Sequence, residues 1–169
     1  MRLEEFSLAT RSLLDGVTTM TLATCDGGVP WATDVYFAAD GFDLVFFSSP
    51  ASRHCRNLAA SPLCAATIHP AVNAWREIKG LQMEGSAGPL TNLGGTARGL
   101  AAYLAKFPFA GELLANPGET ARRVNSAMLY AFRPTRILLL DNALGFGTRH
   151  GMGLVDGQLQ GCPERDSRE

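Results

Sequence analysis

Long apolar runs are missing from this 169-residue chain: no window approaches the roughly 18 consecutive apolar residues that span a bilayer, so no transmembrane helix is expected. Signal-peptide character is missing too. Met1-Arg2-Leu3-Glu4-Glu5 puts acids where a leader needs a positive region, which points to a cytoplasmic protein. Charge of one sign is equally absent. Fifteen Lys and Arg against sixteen Asp and Glu leave a formal net charge of -1, too little field to draw the chain onto nucleic acid or an anionic membrane. Cysteine is sparse, with four residues and no CxxC pair, so a disulfide scaffold is excluded and reduced, mostly buried thiols are expected. Cys55, Cys64, His54 and His69 do not make a metal site: Cys64 and His69 fall on opposite faces of a strand, and no second pair has ligand spacing. A Gly-x-Ser-x-Gly elbow is lacking, since Gly85-Ser86-Ala87-Gly88 is one residue short, which leaves Ser-His-Asp hydrolysis without a nucleophile. Gly145-Phe146-Gly147 with Gly151 is one residue too long for a dinucleotide glycine fingerprint, and no helix follows it.

Charged residues make up only 18% of the chain, below the roughly 25% of ordinary soluble proteins, so some surface is expected to be covered by another body. The length suits one domain. Apolar residues at three- and four-residue steps from Leu3 to Leu14, stopped by Asp15-Gly16, predict a helix. Val17 to Thr24, Val29 to Ala39 and Phe42 to Ser48 predict three antiparallel strands, turned at Asp26-Gly27-Gly28 and Asp40-Gly41. Ser49-Pro50-Ala51-Ser52-Arg53 opens a helix to about Ala60, with serine as cap and proline in the entry turn. Further strands are predicted at Leu63 to His69, Trp75 to Leu90 with a bend near Gly80 or Gly85, Leu129 to Phe132 and Thr135 to Leu140. Helices are predicted at Thr96 to Phe107 and Glu119 to Met128. The glycine-rich, charged end from residue 153 predicts a flexible tail. The expected fold is mainly β (α+β): a six-stranded antiparallel split barrel of Greek-key character with peripheral helices, because closure removes exposed edges. Trp31 and Trp75, lying on strands, are expected in the core more than in a ligand slot.

Chemistry concentrates at Phe46-Phe47-Ser48-Ser49-Pro50-Ala51-Ser52-Arg53-His54. A strand ends, a helix begins, and its first turn offers free amides, hydroxyls and a guanidinium suited to a phosphate.

The order of hairpin strands, the hydroxyl-x-x-Ser-Arg-His helix, a strand, then Lys79-Gly80-Leu81-Gln82-Met83-Glu84-Gly85, resembles the pyridoxamine 5'-phosphate oxidase-like split barrels. Asp141-Asn142-Ala143-Leu144-Gly145-Phe146-Gly147 is similar to a late signature of the bacterial YhbP-like members. The resemblance spans residues 1–152. It implies a homodimer with FMN in the clefts between subunits, used by an oxidoreductase acting on a small organic substrate. Ser49, Ser52, Arg53 and His54 would then hold the phosphate, Ala32, Thr33, Asp34, Val35 and Tyr36 would run beside the isoalloxazine, and Lys79 and Gln82 would reach the cofactor from the long strand. The catalytic residues are not named by the resemblance. Asp34 departs from an asparagine-like pattern, and a carboxylate beside the ring would disfavour negative charge on reduced flavin. Arg149-His150 only faintly echoes the substrate-handling Arg-x-His of the B6 oxidases, so B6 synthesis is not assigned. Two alternatives stay open: a haem- or flavin-binding protein without turnover in the same cleft, and a deazaflavin-dependent reductase.

Overall fold

The computed structural model describes residues 1–115 and 126–166. The helices are α1 (Leu3–Gly16), α2 (Arg53–Ala60), α3 (Leu93–Lys106) and α4 (Pro108–Ala115). The strands are β1 (Thr19–Asp26), β2 (Val29–Tyr36), β3 (Ala38–Asp40), β4 (Asp43–Ser48), β5 (Leu63–Ile68), β6 (Lys79–Pro89), β7 (Met128–Asp141), β8 (Arg149–Val155) and β9 (Gln158–Arg165). Among the described residues no helix is long and apolar enough to cross a membrane.

All strand pairs are antiparallel, in the order β2-β1-β5-β6-β7-β4-β3, with β8 and β9 added beyond β7. The two ends of that order, β2 and β3, are consecutive in the chain. Phe37 alone separates them, so one bent strand pairs with β1 through its first half and with β4 through its second. Counting that bent strand once gives six positions around a ring, the split barrel expected from the sequence. Two positive-φ turns make the tight connections: Gly27 and Gly28 at φ 55° and 78°, and Gly41 at φ 69°.

Period-two alternation explains the core. On β1, Met20, Leu22 and Thr24 point inward and are buried, while Thr21, Ala23 and Cys25 point outward. Phe37, Phe46, Phe132, Ile137 and Leu139 fill the interior with them, and α1 adds Phe6, Leu13 and Leu14. A second cluster forms where α3 and α4 lay Tyr103, Phe107 and Ala110 against Ala38, Val45 and Ala131. Lys106 ties α3 to α1: its Nζ donates to the carbonyls of Leu14 and Val17, both at 2.7 Å, and sits 4.0 Å from the Phe37 ring centre.

Several expectations change. Trp75–Glu77 is a 3-10 turn, so the long strand starts at Lys79. Its bend falls at a register shift between Glu84 and Gly85, where Gly85 lies opposite Pro134. That glycine lets the two expected strands flanking Pro134 merge into one continuous β7, because the bulge places a residue without an amide hydrogen in the ladder. The expected tail from residue 153 is instead ordered through residue 166. β8 and β9 form a hairpin on β7, turned by Asp156 and Gly157 at φ 50° and 72°. The helix expected over Glu119–Met128 lies mostly outside the described residues, and Met128 itself opens β7.

Candidate functional site

β4 ends at Ser48, and the chain turns into α2 through a bond from the Ser52 amide to the Ser49 carbonyl at 2.9 Å. Ser52 caps the helix, its Oγ accepting from the Cys55 amide at 3.4 Å. The turn is tightened by Ser49, whose Oγ accepts from the Ala51 amide at 3.3 Å, and by Arg56, which donates to the Ala51 carbonyl. Three polar side chains converge there. Ser48 Oγ lies 2.5 Å and Ser52 Oγ 3.2 Å from Nε2 of His54, which is buried. Arg53, the first residue of the helix, stacks over Trp31 of β2, its guanidinium carbon 4.3 Å from the ring centre.

Beneath this cradle lies Cys55, also buried. Burial pushes its thiol up, but hydrogen bonds from His54, Ser52, Tyr130 and Ser48 outweigh that and bring it down to about 7. Cys64 shows the opposite balance, burial pushing it up to about 12. The four thiols are free, but only Cys55 is buried: Cys64 is half-buried, and Cys25 and Cys162 are exposed, which corrects the expectation of mostly buried thiols.

Strand β2 is an edge of the sheet. Ala32, Asp34 and Tyr36 share its exposed outer face, whereas Thr33 and Val35 turn inward and are half-buried. Thr21 Oγ1 donates to Asp34 Oδ1 at 2.6 Å, fixing that carboxylate on the outer face. Tyr36 packs edge-on against Phe107 and Phe109, with centroids at 5.4 and 6.0 Å.

The sheet register places Asp34, Thr21, Thr67 and Gln82 in one transverse row across β2, β1, β5 and β6. Gln82 is thus three strands from β2 along the sheet. Lys79, at the exposed start of β6, projects to the opposite face from Gln82. The structure therefore gathers Ser49, Ser52, Arg53 and His54 around the α2 entry beside β2, and leaves Lys79 and Gln82 away from it. Sequence reasoning missed Ser48, Cys55 and Tyr130 as partners in the cradle, and its core placement of the tryptophans is overturned: Trp31 is 39% and Trp75 50% exposed. Charge near Trp31 was the available signal, since an edge-strand ring facing an arginine-bearing helix start is a cation–π position.

Trp75 belongs to a second organised surface, packing edge-on against Phe146 at 5.9 Å. Buried Asn142 holds the two loops together: its amide donates to the Ile78 carbonyl at 3.0 Å, its Nδ2 donates to the Trp75 carbonyl at 2.8 Å, and its Oδ1 accepts from the Gly147 amide at 2.9 Å.

A strand-to-helix turn of this kind on a split barrel agrees with the family model described as pyridoxamine 5'-phosphate oxidase, which matches residues 7–140. The chain belongs to the pyridoxamine 5'-phosphate oxidase family. No curated protein matches it in sequence. Among solved structures, this family member is similar to a haem-binding protein from Mycobacterium smegmatis, with 21% identity and TM-score 0.70 over 87% of this chain, spanning 57% of that one. It is also similar to Campylobacter jejuni ChuZ, with 13% identity and TM-score 0.70 over 95% of this chain and 63% of the other. A FAD-binding protein from Mesorhizobium loti shares 17% identity and TM-score 0.61 over 77% of this chain and 90% of its own. At these identities the likeness is one of fold.

Proposed function

We propose that this oxidase-family member binds FMN at the α2 entry and works as a cytoplasmic, homodimeric flavin-dependent oxidoreductase on a small organic substrate. The observation that carries the reading is the convergence of the Ser48, Ser52 and His54 side chains beside an arginine already stacked on Trp31. That set fits a phosphate: hydroxyls and amides of a helix start donate to its oxygens, and a guanidinium supplies paired donors and charge. Ser49, Ser52, Arg53 and His54 hold the phosphate in this reading, and Ala32, Thr33, Asp34, Val35 and Tyr36 of the open edge strand lie along the ring system. In this reading Lys79 and Gln82, which lie on β6 and not beside β2, reach the cofactor from a second copy of the chain. When bound, the flavin accepts and returns the electrons; the protein positions it. Asp34, pinned by Thr21, keeps a carboxylate near the rings and opposes the build-up of negative charge there.

Titration of the purified protein with FMN, followed by visible absorbance and Trp fluorescence, tests the reading. Saturable uptake that weakens in Arg53→Ala is expected. No uptake, or uptake indifferent to Arg53, overturns it.

A second reading, a haem-binding protein without turnover, draws on the Mycobacterium smegmatis neighbour and on His69, an exposed histidine and available axial ligand beside the start of β6. A Soret band on adding haem, lost in His69→Ala, separates it from the flavin reading. Competition between FMN and a deazaflavin decides the remaining cofactor alternative.

A further inference from the structure

Helix α1 presents two faces. Phe6, Thr10, Leu13 and Leu14 are buried against the barrel, whereas Leu3, Ser7 and Arg11, one turn apart, share a second face with Glu4 and Leu8. Opposite that face lie Phe42, from the β3–β4 turn, and Gln158 and Leu159 at the start of β9. Between the two runs an open groove of about 520 Å³, within the roughly 300–1,000 Å³ of small-molecule sites. None of its residues belongs to the phosphate cradle or to β2.

Aliphatic surface is left open here: Leu3 is 42% and Leu8 72% exposed, and half-buried Leu159 packs on the core between them and the sheet. The groove offers no aromatic face, because its one ring, Phe42, is buried and lies under the Arg11 guanidinium, whose carbon is 4.8 Å from the ring centre. Among the described residues no carboxylate pairs with Arg11. A guanidinium stacked by its face is held in place and keeps its in-plane N–H donors for an anion. The one acid of the lining, Glu4, stands seven residues back along α1, about 10 Å at the rise of an α-helix, with Leu8 between the two charges.

Charge and aliphatic surface are therefore laid out along one line. A small polar anion leaves the leucines wet, a neutral hydrocarbon leaves Arg11 unused, and a dianion with a charge at each end meets Glu4. A cationic head on Glu4 has less to gain, since that carboxylate lies in the first turn of α1 and already faces the positive end of the helix, whereas Arg11 is restrained before a ligand arrives. We propose that this groove binds an aliphatic monocarboxylate of medium chain length, its carboxylate on Arg11 and its chain along Leu8, Leu3 and Leu159.

An amide NMR titration with octanoate, kept below its micelle concentration, tests this, with octanol and octyltrimethylammonium as neutral and cationic counterparts. The outcome does not depend on whether flavin binds. Saturable shifts at the amides of Ser7, Leu8, Gln158 and Leu159 are expected for octanoate, with binding at least about tenfold weaker for either counterpart. Arg11→Gln is expected to lose about tenfold in octanoate affinity and to leave octanol unchanged. Leu8→Gln, which keeps a good helix former, is expected to weaken both. Both side chains are exposed, so the variants keep the fold. Absence of saturable shifts, octyltrimethylammonium binding as tightly as octanoate, or unchanged octanoate affinity in Arg11→Gln overturns the proposal. So does a second copy of the chain filling the groove, seen as shifts of the same amides on dilution with which octanoate does not compete.

Discussion

The Arg53 guanidinium rests on the Trp31 ring at 4.3 Å, joining the helix start to the open edge strand. The stack restrains a long side chain before any anion arrives, which lowers the entropy lost on binding.

Arg53→Ala is accordingly expected to weaken FMN binding by about 1.5–3 kcal/mol, the worth of a charge-assisted hydrogen bond. Trp31→Ala, which removes only the support, is expected to cost about 0.5–1 kcal/mol, as exposed cation–π pairs do. Calorimetric titration of both variants checks the order; equal losses would contradict it.

Cys55 should report the state of the cradle through pH. Its thiol falls from 9.0 to about 7 on folding, so its contribution to stability is full above pH 9 and is lost as pH drops through about 7. Urea unfolding should show the wild type gaining stability relative to Cys55→Ser between pH 7 and 9. In His54→Ala the pH midpoint of thiol alkylation should move up toward 9.

Asn142→Ala should detach the Trp75 loop from the Phe146 loop. Two side-chain hydrogen bonds are lost inside a buried site while the backbone bond to Ile78 remains, so a destabilisation of about 1–3 kcal/mol is expected. Thermal unfolding gives the cost, and a red shift in Trp75 emission, read in a Trp31→Phe background, locates it.

Gly85→Ala should be among the most damaging single changes. A Cβ at Gly85 would sit 2.2 Å from the Arg133 carbonyl oxygen, backbone that cannot swing aside, so a loss of about 3 kcal/mol or more is expected. Gly88→Ala is the control, since a Cβ there meets nothing within 4 Å. Denaturant midpoints of the two variants should differ widely.

Much of the barrel was legible because its turns are written in residue types. Asp26-Gly27-Gly28 and Asp40-Gly41 announce positive φ, and Ser52 before Arg53 announces a cap. Asp156-Gly157 carried the same message for the last hairpin, but the charged, glycine-rich surroundings masked it as a tail. The contact of Ser48 with His54 was not legible, since six residues and a turn separate them and no periodicity links a strand end to the second residue of a helix. The Arg136–Asp166 pair was hidden for a similar reason: partners thirty residues apart meet only once two strand registers are known.

The bent strand through Phe37 also sets an order of events. β1–β2 and β3–β4 are local hairpins that form from neighbouring residues, but β4 pairs with β7 across about 80 residues of chain, Ser48 opposite Met128. During synthesis the early hairpins therefore emerge long before the wall that closes them, and the nascent chain carries an open apolar trough until β7 leaves the ribosome.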